Sequence, residues 1–198
     1  MSRYEEVLLL ELSEDSIEYM TVVQNISMTL RNKIDKVERV QNPYLWGSYV
    51  LKKEEYMNYP GFDIVKEEKL FHATAEENIN SIVLNNLDWR RTKRTRYGHG
   101  VSFSPSAEYA STYCSPNAGS ARALILARVL VKMATKGHYG TKLPPPPFDT
   151  TTGKHGNVVV KYADNEFYPE YVLYYTNWAW ERGIRSGAAA PDGRVQGA

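Results

Sequence analysis

His72 sits near the end of an apolar strand, Lys69 to Ala73, reading Lys-Leu-Phe-His-Ala. Its imidazole can donate or accept a hydrogen bond, and it is the one side chain that ordinarily titrates near neutrality. Taken alone, it fits either a satisfied core histidine or a group that touches a ligand. Thr74 and Glu77 follow with the spacing of a capping box, which predicts a helix start there. Further on, Gly98-His99-Gly100 turns into a short strand, Val101-Ser102-Phe103, and Ser104-Pro105 is read as opening another helix. A polar residue in one apolar strand and a Gly-x-Gly turn before a second can border a cleft with a ligand across it. The glycine pair is not a dinucleotide fingerprint, which needs a strand before it and a helix after it.

Other chemistry-bearing residues narrow the options. His72, His99, His138 and His155 lie at no metal-ligand spacing from one another, from a Cys or from an Asp, so no structural metal is expected. Cys114 has no partner base in view and reads as a buried structural thiol. Arg90, Arg91, Lys93, Arg94 and Arg96 form a basic run. It fits a solvated loop, or a patch for an anionic partner such as a pyrophosphate, a nucleic acid or an acidic protein.

The elements that must hold these residues are legible from period and punctuation. A helix is expected from about Ser16 to Leu30, with Asp15 and Glu18 as its capping box. Lys33 to Gln41 reads as a strand, and Asn42-Pro43 opens a helix with Leu45, Trp46, Tyr49 and Val50 inward. Ile79, Ile82 and Val83 share one face of the helix after Thr74. Arg122 to Met133 suits a strand buried on both faces. Lys136 to Asn157, rich in Gly and Pro, reads as one extended loop. Val158 to Tyr162 and Glu166 to Tyr175 read as strands, with Pro169 implying an edge or a bulge. Helices early and strands late favour an α+β class.

The chain has 198 residues and a formal net charge of +1, so there is no global pull toward nucleic acid or membrane. No run approaches the roughly 20 apolar residues of a membrane helix. A single cysteine excludes an intramolecular disulfide and leads to the expectation of an intracellular protein, cytoplasmic or nuclear. One domain over residues 1–176 and a disordered tail over 177–198 are expected, since the latter is Gly- and Ala-rich without periodicity.

Three words in this order resemble the catalytic domain of the poly(ADP-ribose) polymerase-like ADP-ribosyltransferases. They are His72-Ala73-Thr74, Gly98-His99-Gly100-Val101-Ser102-Phe103 and Ala110-Ser111-Thr112-Tyr113-Cys114. The entry Val-Glu-Arg-Val-Gln-Asn-Pro-Tyr-Leu-Trp and the closing Tyr-Pro-Glu-Tyr are similar to the mono-ADP-ribosyltransferase branch. The resemblance covers about Ser16 to Thr176. It implies an ADP-ribosyltransferase fold, a mostly antiparallel split sheet with flanking helices. It implies NAD as co-substrate, no metal, and transfer of one ADP-ribose to a protein acceptor with release of nicotinamide. The matching histidine holds the adenosine ribose, the next residue's backbone holds the nicotinamide amide, and Tyr113 stacks on the nicotinamide. Thr74, Gly98, Gly100 and Ala110 line the same site by this resemblance, and Ser102 and Val158 stand at the reaction centre.

Four positions depart from the family's words: Ala73 replaces a Gly, Ser102 a stacking Tyr, Ala110 a Ser and Val158 the glutamate of polymerising members. Loss of a stacked ring costs about 1–3 kcal/mol and of one neutral hydrogen bond about 0.5–1.5 kcal/mol. These losses define the alternative, a degenerate member that binds a protein or nucleic-acid partner without transfer.

Overall fold

The computed structural model describes residues 7–58, 65–93, 95–114, 121–153 and 155–176. Pro60-Gly61, Arg94, the loop after Cys114 and the tail beyond Thr176 lie outside the described residues.

The apolar run after residue 120 does form a strand buried on both faces, β5 (Ala121–Val131). Its alternate side chains belong to different clusters, which is how one sheet separates two cores. Ile125, Ala127 and Val129 face one core, and Leu124 and Leu126 the other. Around β5 lie β1 (Leu8–Glu11), β2 (Ile34–Gln41), β3 (Lys66–Ala75) and β9 (Phe167–Thr176), in the order β1-β2-β9-β5-β3. Every pairing in this sheet is antiparallel. A second sheet runs β4-β8-β7-β6, from β4 (Val101–Phe103), β6 (Ala134–Lys136), β7 (Thr150–Thr152) and β8 (Val159–Lys161). Only β6 and β7 pair in parallel there. The result is an α+β fold with a mostly antiparallel split sheet.

Helices cover the faces. α1 (Ile17–Val23), α2 (Met28–Arg31) and α5 (Ala107–Thr112) pack on Phe71, Leu124, Leu126 and Leu173. α4 (Ile79–Asn85) lays Ile79, Ile82 and Val83 on the other face, beside Val101, Phe103 and Val159 of the second sheet. α3 (Pro43–Met57) is started by Asn42, whose side chain accepts from the Tyr44 and Leu45 amides. Tyr49 is its fully buried anchor, while Trp46 stays 42% exposed and stacks on it at 5.7 Å. No helix among the described residues is long and apolar enough to cross a membrane.

Several boundaries differ from the sequence reading. The first helix is capped by Ser16, which accepts from the Tyr19 amide, and it breaks after Val23. Glu18 is drawn away from capping by Arg39 and the Tyr171 hydroxyl. At Thr74 no capping box forms. The strand continues to Ala75 because its backbone is held by β5 through Ala75↔Arg122, and Thr74 accepts from the Asn78 side chain instead. Ser106, not Ser104-Pro105, caps α5 through the Tyr109 amide, since Ser104 is held in a bridge to Phe71. β7 lies inside the stretch read as loop, where three threonines escape the Gly/Pro composition around them. Pro169 sits in a central strand, at a register shift where Leu126 faces Tyr171 and Ala127 faces Pro169, so the expected bulge is present and the expected edge is not.

Candidate active site

His72 lies where the two sheets meet. Its Nδ1 is 2.9 Å from the Ser102 carbonyl oxygen, and its ring meets Phe103 edge-on at 5.9 Å. A carbonyl only accepts, so Nδ1 carries the proton and Nε2 of the neutral ring is left as an acceptor. Burial lowers the imidazole pKa and the Ser102 bond only partly opposes this, so the ring is neutral at neutral pH. A neutral imidazole with a free acceptor nitrogen suits a hydroxyl donor such as that of a ribose.

The next residue offers a complementary pair. Phe71 exchanges both backbone hydrogen bonds with Ser104, on the side of β3 away from β5. Along a strand, residues two apart turn their N–H and C=O the same way. Ala73 therefore directs its N–H and C=O to that same side, past the end of the Phe71–Ser104 bridge. One donor and one acceptor side by side match a primary carboxamide. The Ala73 methyl packs toward the cluster containing Phe71, Ala107 and Ala110, on the α5 side. Ala110 is itself buried there.

Ser102 is exposed and pairs with Val160 across β4 and β8. Val158, Val160 and Tyr162 form one cluster with Tyr97 and Tyr109 packed against it. Val158 is buried and precedes β8, so the expected strand starts one residue late. Tyr113 is 46% exposed, and its ring centroid lies 4.7 Å from that of Tyr109. Contacts thus run from His72 through Ser102, Val160 and Tyr109 to Tyr113 and Val158. Thr74 is buried, bonded to Asn78.

The two glycines have a packing role. Gly98 has a positive φ of 131°, and a Cβ there would lie 1.8 Å from the Tyr162 hydroxyl oxygen. A Cβ on Gly100 would lie 2.1 Å from the Lys161 carbonyl oxygen. Both let the turn press onto β8 and so set the place of Ser102.

The described members of the basic run differ in their partners. Arg90 pairs with Asp88 and Asp164 at 2.8 and 2.9 Å, and its charge is spent there. Arg91, Lys93 and Arg96 are exposed, with Arg96 lying 5.5 Å over the Tyr97 ring. Glu166 and Glu170 offer no carboxylate to this site. Glu166 is bound to Tyr56 and Lys161, and Glu170 to Arg128 and Lys69.

The sequence reading overlooked Tyr97 and Tyr109, whose spacing to Tyr113 along α5 was the available signal for the second. It also overlooked a buried ionic group under β8. Lys161, with no exposed side-chain surface, meets Asp149, Glu166 and the Thr150 hydroxyl. A lone lysine in Val-Val-Val-Lys-Tyr gives no sequence sign of burial.

The chain is 30% identical over 182 residues to the human protein mono-ADP-ribosyltransferase PARP14, covering 84% of this chain and 10% of that protein. It is 32% identical over 177 residues to human PARP12, covering 83% and 25%. With mouse PARP11 it shares 26% over 196 residues, covering 83% and 59%. The chain therefore spans less than two thirds of each of these relatives. Residues 16–174, from the Ser16 cap almost to the end of β9, match the poly(ADP-ribose) polymerase catalytic domain, and this chain belongs to that family.

Proposed function

We propose that the chain transfers a single ADP-ribose from NAD to a protein side chain and releases nicotinamide. The observation that carries this reading is the edge of β3, where neutral His72 offers an acceptor nitrogen beside the open N–H and C=O of Ala73. That edge suits a ribose hydroxyl and a carboxamide on one molecule. Tyr113, half-exposed, offers a ring to the nicotinamide. In the transfer the glycosidic bond from ribose C1′ to the nicotinamide nitrogen breaks, and neutral nicotinamide leaves with that bond's electron pair. A nucleophilic atom of the acceptor then bonds C1′ through an oxocarbenium-like transition state, as in glycoside hydrolysis. The protein's part is to hold and desolvate the dinucleotide. Elongation needs a carboxylate within hydrogen-bond reach of the attached sugar's hydroxyl. Val158 is buried at the matching position, and Glu166 and Glu170 are engaged elsewhere.

Labelled NAD with an acceptor extract, followed by sizing of the product, tests this. A single-unit product that disappears in His72→Ala is expected. A polymer ladder would refute the single-unit assignment. Failure of NAD to bind in calorimetric titration would favour the second reading, binding without transfer, which the exposed Ser102 in place of a second ring supports.

A further inference from the structure

Tyr109 and Tyr113 stand four residues apart on α5 and its C-cap, the spacing at which helical side chains meet. Their ring centroids are 4.7 Å apart with a 41° angle between planes. A flat ring inserted between two others needs about 7 Å, two contact distances of roughly 3.5 Å. No base can enter between these two. Tyr109 therefore covers one face of Tyr113, which as a residue is 46% exposed. Tyr109 is in turn seated on Val158, Val160 and Tyr162, with Tyr97 beside it. Burial and a hydrogen bond with Tyr113 push the Tyr109 hydroxyl up to about 12, so it stays protonated and tied to its neighbour. Ser102, exposed on β4, contributes no ring to the cleft.

We infer that Tyr109 is a positioning residue for the base subsite: it fixes Tyr113 as the sole stacking wall among the described residues, so the nicotinamide stacks on one face only. This rests on the reading that the cleft takes NAD. It also gives Val158 a second task. The valine is one of three buried residues on which Tyr109 packs, and a carboxylate placed in that cluster would be buried and disturb the wall.

The test compares Tyr109→Leu, which keeps bulk without a ring, and Tyr109→Phe, which keeps the ring without the hydroxyl. Benzamide, NAD and ADP-ribose are titrated calorimetrically into each variant and the parent, with thermal unfolding as the folding control. Tyr109→Leu is expected to weaken benzamide and NAD by roughly two- to tenfold, the equivalent of an aromatic pair contact, and to leave ADP-ribose unchanged. Tyr109→Phe should fall between Tyr109→Leu and the parent. Unchanged benzamide affinity in Tyr109→Leu, or an equal loss for ADP-ribose, overturns the positioning role and leaves the transferase reading standing. A parent that binds none of the three overturns both.

Discussion

Replacing Lys161 with Met removes a cation from a fully enclosed polar group. Lys161 has 0% exposed side-chain surface, and its two carboxylate partners, Asp149 and Glu166, have 8% and 5%. The group links the end of loop 137–149 to β8, and β8 to the start of β9 and to Tyr56 of α3. Methionine fills nearly the same volume, so the packing change is small and the cost is electrostatic. Removing one partner of a buried pair costs about 3–5 kcal/mol, because the other charge stays buried. The two carboxylates are not left equally exposed to that cost. Asp149 still accepts from the Met133 and Lys132 amides and the Thr150 hydroxyl. Glu166 keeps Tyr56 on one oxygen, but its Oε2 has only Lys161, at 3.3 Å and without a hydrogen bond. Glu166 is then the carboxylate left buried without its cation. Against a typical stability of about 5–15 kcal/mol the loss is large. At about 2–4 °C per kcal/mol for a chain of this size, the midpoint should fall by roughly 6–20 °C. Urea and thermal unfolding at pH 7 measure this, with Glu166→Gln added in the Met background as the second arm. Glutamine can still accept from Tyr56 without a charge, so at least about 1 kcal/mol should return. A Lys161→Met loss below about 1 kcal/mol, or no recovery with Glu166→Gln, would refute the electrostatic account.

The same group predicts an acid limb, and two further perturbations separate packing from chemistry. Burial alone would push the Asp149 pKa up, but the Lys161 charge and the hydrogen bonds from Lys161, Met133 and Thr150 hold it below the ordinary range. Its contribution is present above the unfolded value of about 3.9 and is lost as pH falls through the lowered folded value, so Asp149→Asn should flatten the urea stability profile below pH 4. Gly100→Ala should destabilise by about 1–3 kcal/mol through the Lys161 carbonyl, while Gly47→Ala, inside α3 with nothing within 4 Å, should stabilise by about 0.5–1 kcal/mol in the same unfolding assay. Because burial lowers the His72 pKa, NAD affinity should be flat from pH 8 to about 6.5 and decline only below that. A calorimetric midpoint at or above 6.5 would contradict a neutral His72.

The main strands and one helix start were legible in the chain itself. A continuous apolar run can only be a strand or helix buried on both sides, and β5 is that strand. Asn42-Pro43 could start a helix locally, and it does, because capping is settled within a few residues. The three words that resemble the transferase family stood in order along the chain, and the family match agrees with them. Tertiary structure decided the rest, wherever a local preference met a stronger partner from far along the chain. Thr74 and Glu77 have capping-box spacing, yet the ladder to β5 carries the strand past Thr74 to Ala75. Pro169 could be placed at a bulge from its missing N–H, but not in a central strand, since strand order depends on pairings over tens of residues. Arg90 looked like one more member of a basic run until Asp164, distant in sequence, paired with it. Nothing in the valine run marked Lys161 as buried. Its burial became favourable only when Asp149 and Glu166 arrived from two other strand ends, and no period or propensity along the chain encodes that meeting.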